Sequence, residues 1–160
     1  MAEPTNITLA KALKLKNRLA GKIGKLTQTV QTYNSTQQGS DQVDVRTAFA
    51  ARADLVARLT DLKAAVARAN LPVQRDIFAL AELKSEVALM ASLDTQHGTV
   101  IEGHRTAGQV TYVAQFRKAD VDALTDALEA RIDALQDRLD TFNPQTLIPV
   151  DAATVALGDK

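Results

Sequence analysis

Apolar residues recur at alternating steps of three and four positions in four separate segments of this 160-residue chain. That spacing places them on one face of an α-helix and is typical of helical bundles and coiled coils. The four series are Leu19, Ile23, Leu26, Val30 and Tyr33; Val45, Ala48, Arg52, Leu55, Leu59, Leu62, Val66 and Ala69; Val73, Ile77, Leu80, Leu83 or Lys84, Val87 and Met90; and Val121, Leu124, Leu128, Leu135 and Phe142. The pattern predicts four helices, over 9–33, 45–69, 73–93 and 118–142.

Capping and turn residues predict where these helices begin and end. Thr8 and Asp44 carry side-chain oxygens suited to cap the first and second helices. Asn70-Leu71-Pro72 breaks or bends the chain before the third helix, and Asn143-Pro144 ends the fourth. Because short connections favour antiparallel neighbours, we expect an all-α fold of four long antiparallel helices, either a bundle or paired coiled-coil-like hairpins.

A small β element is predicted beside the helices. In QVTYVAQF, residues 109–116, one face would carry Val110, Tyr112 and Ala114 and the other Thr111, Val113 and Gln115. This alternation favours a short strand. TLIPV at 146–150 is also β-prone, so we expect 110–114 to pair with 146–150. The remaining residues show little pattern, and we expect one domain over 1–160 with irregular tails at 1–7 and 151–160.

The chain lacks residues that many reaction classes require. It has no cysteine, which excludes disulfides, thiolate metal sites and cysteine nucleophiles. No serine lies in a G-x-S-x-G motif, and no set of groups suited to acid–base catalysis is visible. No stretch has the form of a signal peptide or of a membrane-spanning helix. We therefore expect no enzymatic activity, no cofactor and no membrane contact, and a location in the cytoplasm or in a virion assembled there.

The segment DTQHGTVIEGHRTAG, residues 94–108, is the main candidate for a chemical site because it holds both histidines. Gly98 and Gly103 have the spacing of a phosphate-binding loop, but His104 and Arg105 stand where that motif needs Lys and Ser or Thr. A glycine-rich connector between helices is therefore favoured over nucleotide binding.

A metal site is the second interpretation of the same segment. Zinc accepts nitrogen and oxygen donors, and a loop could bring several together. The candidate ligands are Asp94, His97, Glu102 and His104. A metal-dependent enzyme or ligand binder that uses 94–108 is thus an alternative function, although no HExxH or other fixed helical ligand pair supports it.

Charge is balanced overall but unevenly distributed. Segment 1–26 holds six cationic residues and one anionic residue, a net +5, while 118–160 holds four cationic and nine anionic residues, a net −5. Such segments attract each other within one chain or between chains. The basic segment also supports a second alternative, nucleic-acid binding through the first helix. A pI of about 6.7 and the lack of interleaved aromatic residues argue against it.

Small residues on two helices favour association with a partner. Gly21 and Gly24 lie inside the first helix, where each costs about 1 kcal/mol relative to alanine, and a close backbone contact would explain them. The second helix carries alanines away from its apolar series, at Ala50, Ala53, Ala57 and Ala64. The candidate interface residues are Lys14, Arg18, Gly21, Gly24, Asp126, Asp133 and Asp137.

The segment VTYVAQFRKADVDALTDALEARIDALQDRLDTFN, residues 110–143, resembles the C-terminal part of the septicolysin-like family of small bacterial and prophage helical proteins of unknown activity. The shared parts are V-x-Y at 110–112, a D-V-x-x-L helix start at 120–124, and Leu139-Asp140 followed by Asn143. Upstream, L-A-x-A-L at 9–13 and A-R-A-N at 67–70 occur in the same order as in that family. The resemblance implies a small helical fold and assigns no catalytic residues.

These patterns together predict a non-catalytic structural or interaction protein. We expect it to oligomerise, or to dock on another protein of a larger assembly such as a phage virion.

Overall fold

The fold is mostly helical, as predicted, with a small β component. A computed structural model describes residues 4–38, 43–102 and 108–157. Its long helices are α1 (Leu9–Tyr33), α2 (Val45–Asn70), α3 (Gln74–Ser92) and α4 (Lys118–Gln145). A 3-10 turn over Leu71–Val73 links α2 to α3, and a five-residue helix, α5, follows at Ala152–Ala156. The strands are β1 (Pro4–Thr8), β2 (Gly98–Glu102), β3 (Gly108–Tyr112) and β4 (Leu147–Asp151).

Side-chain caps set the starts of α1 and α2 as predicted. Thr8 Oγ1 accepts a hydrogen bond from the Lys11 amide at 3.2 Å, and Asp44 Oδ1 accepts one from the Thr47 amide at 3.0 Å. Each bond satisfies an amide that the first helical turn would otherwise leave without an acceptor.

The predicted end of α4 at residue 142, before Asn143-Pro144, is wrong by three residues. The helix continues to Gln145, with Pro144 inside its last turn. Proline interrupts a helix by lacking an N–H donor, and here only one bond of the final turn is lost. The amide and the hydroxyl of Thr146 both donate to the Phe142 carbonyl, at 3.0 and 2.9 Å, which completes the turn.

The predicted pairing of 110–114 with 146–150 is also wrong. The structure has two separate antiparallel ribbons, β1 with β4 and β2 with β3. In the first, Ile7 lies opposite Ile148, and both side chains point into a shared core. The predicted irregular tails are therefore wrong for β1 and α5, because pairing and burial order residues that carry little local pattern.

The contacts of the chain divide into two compact units. Unit 1 comprises Met1–Pro72 together with Thr141–Lys160, and unit 2 comprises Val73–Asp140. Compact units and folding domains are different properties, so the single domain over 1–160 stays a prediction.

Unit 1 is an antiparallel pair of helices whose core is completed by the β1–β4 ribbon. Arg52 Nε, early in α2, donates to Thr27 Oγ1, late in α1, at 2.8 Å, as antiparallel packing requires. On α1 the core face lies further toward the N-terminus than the predicted series, since Tyr33 is 43% exposed. The buried cluster comprises Ile7, Leu9, Ala12, Leu15, Leu19, Leu55, Leu62, Val66, Ile148 and Val150.

In unit 2 the β2–β3 hairpin follows α3 and precedes α4 along the chain. Asp76 Oδ2 at the start of α3 lies 2.9 Å from Arg138 Nη2 near the end of α4, so the chain returns after the hairpin to the place where α3 begins. Its buried apolar side chains are few: Val73, Leu83, Val121 and Leu139. All except Leu139 belong to the predicted apolar series.

Replacement of Leu62 tests the core of unit 1. Leu62 is only 2% exposed, so Leu62→Ala removes buried methyl groups and leaves a cavity. We expect a loss of about 2–5 kcal/mol in the free energy of unfolding, measured by urea titration. The matched change Leu89→Ala, at a side chain that is 54% exposed, should cost less than about 1 kcal/mol. Equal losses in the two variants would contradict this core.

Candidate interaction surfaces

Residues 94–102 form a turn and a strand, and the predicted glycine-rich connector is therefore wrong in part. Asp94 Oδ1 accepts a hydrogen bond from the Gln96 amide at 2.9 Å, which makes a tight turn after α3. Gly98 then opens β2 with a φ of 106°, a left-handed conformation that favours glycine. Gly98 thus serves the backbone of a strand entry, while Gly103, His104 and Arg105 lie outside the described residues.

The four candidate metal ligands are not all described. His97 Nδ1 accepts a hydrogen bond from the Ala114 amide at 3.2 Å, which occupies that nitrogen, and Asp94 is engaged in its turn. Among the side chains that the structure describes, no group of three potential ligands occurs. His104 and the side chain of Glu102 lie outside this set, so the four-residue metal site stays a prediction.

The β2–β3 hairpin has one face that is fully exposed. Its register places Thr99 opposite Thr111 and Ile101 opposite Gln109, and alternation along a strand puts these four side chains on the same face. All four are exposed, Ile101 by 71%. The two threonine hydroxyls hydrogen-bond across the ribbon at 2.9 Å. Val113, just after β3, is 76% exposed.

Cationic residues form an exposed stripe along α1, which we call the basic stripe. Its cationic residues are Lys11, Lys14, Arg18 and Lys25, and Gly21 completes their three-and-four spacing between Arg18 and Lys25. Lys22 lies off the stripe and donates to the Leu157 carbonyl at 2.6 Å. The basic stripe thus includes three of the predicted interface residues.

The small residues of the two helices face open space. A Cβ built on Gly21 or Gly24 would have no atom within 4 Å, so packing within the described chain does not explain either glycine. The alanines that the sequence singled out on α2 are exposed as well: Ala50, Ala53, Ala57 and Ala64. Their role in contact with a partner stays a prediction.

Carboxylates form a second exposed stripe, on α4, which we call the acidic stripe. It comprises Asp122, Asp126, Glu129, Asp133, Asp137 and Asp140. Lys118 pairs with Asp122, and Gln136 Nε2 donates to Asp140 Oδ1 at 3.1 Å. Like charges three or four positions apart destabilise a helix by about 0.2–0.5 kcal/mol per pair. A cationic partner surface would remove that cost.

A polar node that the sequence did not reveal ties α2 to β4 and α5. Arg58 Nη1 donates to Asp151 Oδ2 at 2.9 Å, and Arg58 Nε donates to Asp54 Oδ2 at 2.7 Å. Asp151 Oδ2 also accepts hydrogen bonds from the amide and the hydroxyl of Thr154, both at 3.0 Å, and so caps α5. Thr154 is only 3% exposed. The spacing of Asp151 and Thr154 is a capping signal that sequence analysis could have used.

The node shifts the acidity of its members. The hydrogen bond from the Thr154 hydroxyl, together with the Thr154 amide and the positive charge of Arg58, holds the pKa of Asp151 below its usual value of 3.8. The hydrogen bond to Asp54, with added attraction from both carboxylates, raises the pKa of Arg58. Beside the node is a groove of about 500 Å³ lined in part by Ala57, Ala64 and Pro149. Because Arg58, Asp151 and Thr154 satisfy one another, the node is structural.

Comparison with protein-family models, with curated proteins and with solved structures found no match. Over the ranges that the structure describes, each helix is too short or too polar to cross a membrane.

The Asp151 carboxylate makes a pH-dependent contribution to stability. Its pKa is lower in the folded state than in the unfolded state, so the contribution is complete above pH 3.8 and is lost as the pH falls through the folded-state pKa. Asp151→Asn keeps a cap for α5 but removes the charge. We expect it to unfold more readily than the parent at neutral pH, with the difference shrinking below pH 3.8 in urea titrations.

Asp126→Asn serves as the control because Asp126 is exposed on the acidic stripe of unit 2, whereas every member of the node belongs to unit 1. Its free energy of unfolding should stay within about 0.5 kcal/mol of the parent at neutral pH. If the deficit of Asp151→Asn were as large at about pH 2.5 as at neutral pH, charge would not be the source of the stabilisation.

Proposed function

We propose that this chain is a non-catalytic assembly protein, which oligomerises or docks on a larger assembly such as a phage virion. The observation that carries the proposal is the exposure of apolar side chains in unit 2. Its described residues bury four large apolar side chains and expose seven. The exposed ones are Phe78, Leu89, Ile101, Val110, Val113, Phe116 and Leu124.

Burial of these side chains would supply the free energy of association. Full burial of one large apolar side chain is worth about 1.5–3 kcal/mol, so a contact that covers only some of the seven has a substantial driving force. Single exposed apolar side chains are common on proteins, but a unit that exposes seven large ones and buries four leaves most of them without a partner, which favours association. Catalysis gains no comparable support, because the polar groups of the node are satisfied by one another.

The two charged stripes would orient such a contact. Exposed ion pairs contribute only about 0–1 kcal/mol each, so they set the encounter and the direction of approach more than the affinity. Lys11, Lys14 and Lys25 are exposed on the basic stripe, and Asp126 and Asp133 on the acidic stripe. A second copy carries the complement of both stripes, which favours self-association.

The resemblance of 110–143 to the septicolysin-like family is compatible with the same proposal. It implies a small helical fold, and it assigns no catalytic residues. We also propose that the long helices pair as hairpins within each unit, α1 with α2 and α3 with α4. Two contacts support the pairing: Arg52 with Thr27 joins α2 to α1, and Asp76 with Arg138 joins α3 to α4. We propose a location in the cytoplasm, or in the particle if the chain is phage-encoded.

Mass in solution tests the proposal. Light scattering after size exclusion should give a discrete mass above the 17.2 kDa of one chain, and the fraction of oligomer should rise between two concentrations about a hundredfold apart. Measurement at low and high salt then separates the forces. A mass that decreases at high salt shows that the charged stripes contribute to association. A mass that is the same at low and high salt shows that apolar burial is sufficient. A mass of 17.2 kDa under every condition would contradict self-association.

A further inference from the structure

We propose that the outer edge of β3 pairs with the same edge of a second copy of this chain, joining two β2–β3 hairpins into one four-stranded antiparallel sheet. The inference rests on the proposed self-association, and it names the surface and the partner.

The first support is that β3 has an open edge. It pairs with β2 on one side, and no other strand in the described part of the chain pairs with it. Its first four residues, 108–111, are exposed. An edge strand presents a row of N–H and C=O groups to solvent and is a template for a further strand.

The second support is that β3 lacks the protection that the other ribbon has. Pro4 lies in β1 and Pro149 in β4, and proline cannot donate a hydrogen bond to an added strand. Asp151 ends β4 with a charge. The stretch 108–116, GQVTYVAQF, contains neither a proline nor a charged residue. Proteins normally protect exposed edges with charges or proline, so an unprotected edge indicates one that is covered in the assembled state.

The third support is the size of the isolated ribbon. A two-stranded hairpin alone is marginally stable in water, and three or more strands with an apolar face are needed for independent stability. Val100 is half-buried and Val110 is 38% exposed on the face of the hairpin opposite Ile101. Pairing through β3 would double the number of strands and extend this face across the two copies.

A second copy fits this edge because an antiparallel strand pair has two-fold symmetry. Two identical strands related by a two-fold axis present the same edge to each other, so the contact is self-complementary. Like charges directly opposite each other destabilise a sheet, and β3 has none to bring together.

The available area sets the expected strength. The apolar residues in and beside the ribbon, Ile101, Val110, Val113 and Phe116, are 38–76% exposed. Ile101 and Val110 lie on opposite faces of the ribbon, so one edge contact covers only part of this surface, less than the about 1,200 Å² or more that stable complexes bury. We therefore expect a dimer that dissociates on dilution, with the rest of any interface contributed by the helices.

The test places like charges on the paired edges. In Gln109→Lys/Val113→Lys both positions are exposed, Val113 by 76%, so the hairpin itself should be retained. Pairing of two copies would bring four added cations together, and we expect dimerisation at least about tenfold weaker than that of the parent by analytical ultracentrifugation. The control Leu71→Lys/Leu147→Lys adds the same charge at side chains 70% and 62% exposed in unit 1, and it should dimerise like the parent.

A charge-swap mixture keeps the test independent of misfolding. Gln109→Glu/Val113→Glu should also be monomeric alone, while an equimolar mixture with the lysine variant should form a heterodimer, because opposite charges then face each other across the new strand pair. A misfolded hairpin would not regain association on mixing.

Each outcome decides a separate point. A parent chain that stays monomeric at every concentration overturns this inference and the proposed self-association together. A parent oligomer that the lysine variant leaves unchanged overturns the β3 contact and leaves the proposed function intact. A mixture that fails to associate, when each variant alone is monomeric, overturns pairing of β3 with its own copy.

Discussion

Pairing of the first strand with the last is the contact on which unit 1 depends. The β1–β4 ribbon contributes Ile7, Ile148 and Val150, three of the ten side chains in the buried cluster. At about 1.5–3 kcal/mol each, their burial is comparable with the whole net stability of a typical domain, about 5–15 kcal/mol. The ribbon also brings Asp151 to Arg58 and the Leu9 amide to the Thr146 carbonyl, at 2.7 Å. The α1–α2 pair alone would lose all of these contacts.

Loop entropy opposes the pairing of these distant strands only weakly. The free-energy cost of closing a flexible loop grows only with the logarithm of its length. Loop closure between β4 and β1 therefore costs about 1 kcal/mol more than loop closure between β4 and β3. The free energy gained by burying Ile148 and Val150 is larger than this difference. The strand nearest to β3 in sequence is β2, which precedes it by a few residues. β3 pairs with β2 and not with β4.

Local information in the sequence therefore predicts the helices well and the strand partners poorly. Periodicity and capping are properties of neighbouring residues, and they placed α1 and α2 with their caps at Thr8 and Asp44. The core face of α1 was predicted too far toward the C-terminus, because periodicity carries no information about the β1–β4 ribbon, whose side chains share the buried cluster with Leu9 and Leu15. The Arg58–Asp151 contact joins α2 to β4 across most of the chain, so no local pattern indicates it. Alternation in 109–116, by contrast, did predict β3, the strand on which the proposed dimer contact depends.

In the proposed dimer, the pairing of one strand edge would not lead to fibres. A two-fold contact between β3 strands uses both copies of that edge and leaves only the edges of β2 at the rims of the sheet. At one end of β2, Gly98 departs from strand geometry with its φ of 106°, and at the other the sequence places the charged residue Glu102. Both features disfavour the addition of a further strand. Growth by edge pairing would therefore stop at four strands, and any larger assembly would be built through the charged helices α1 and α4.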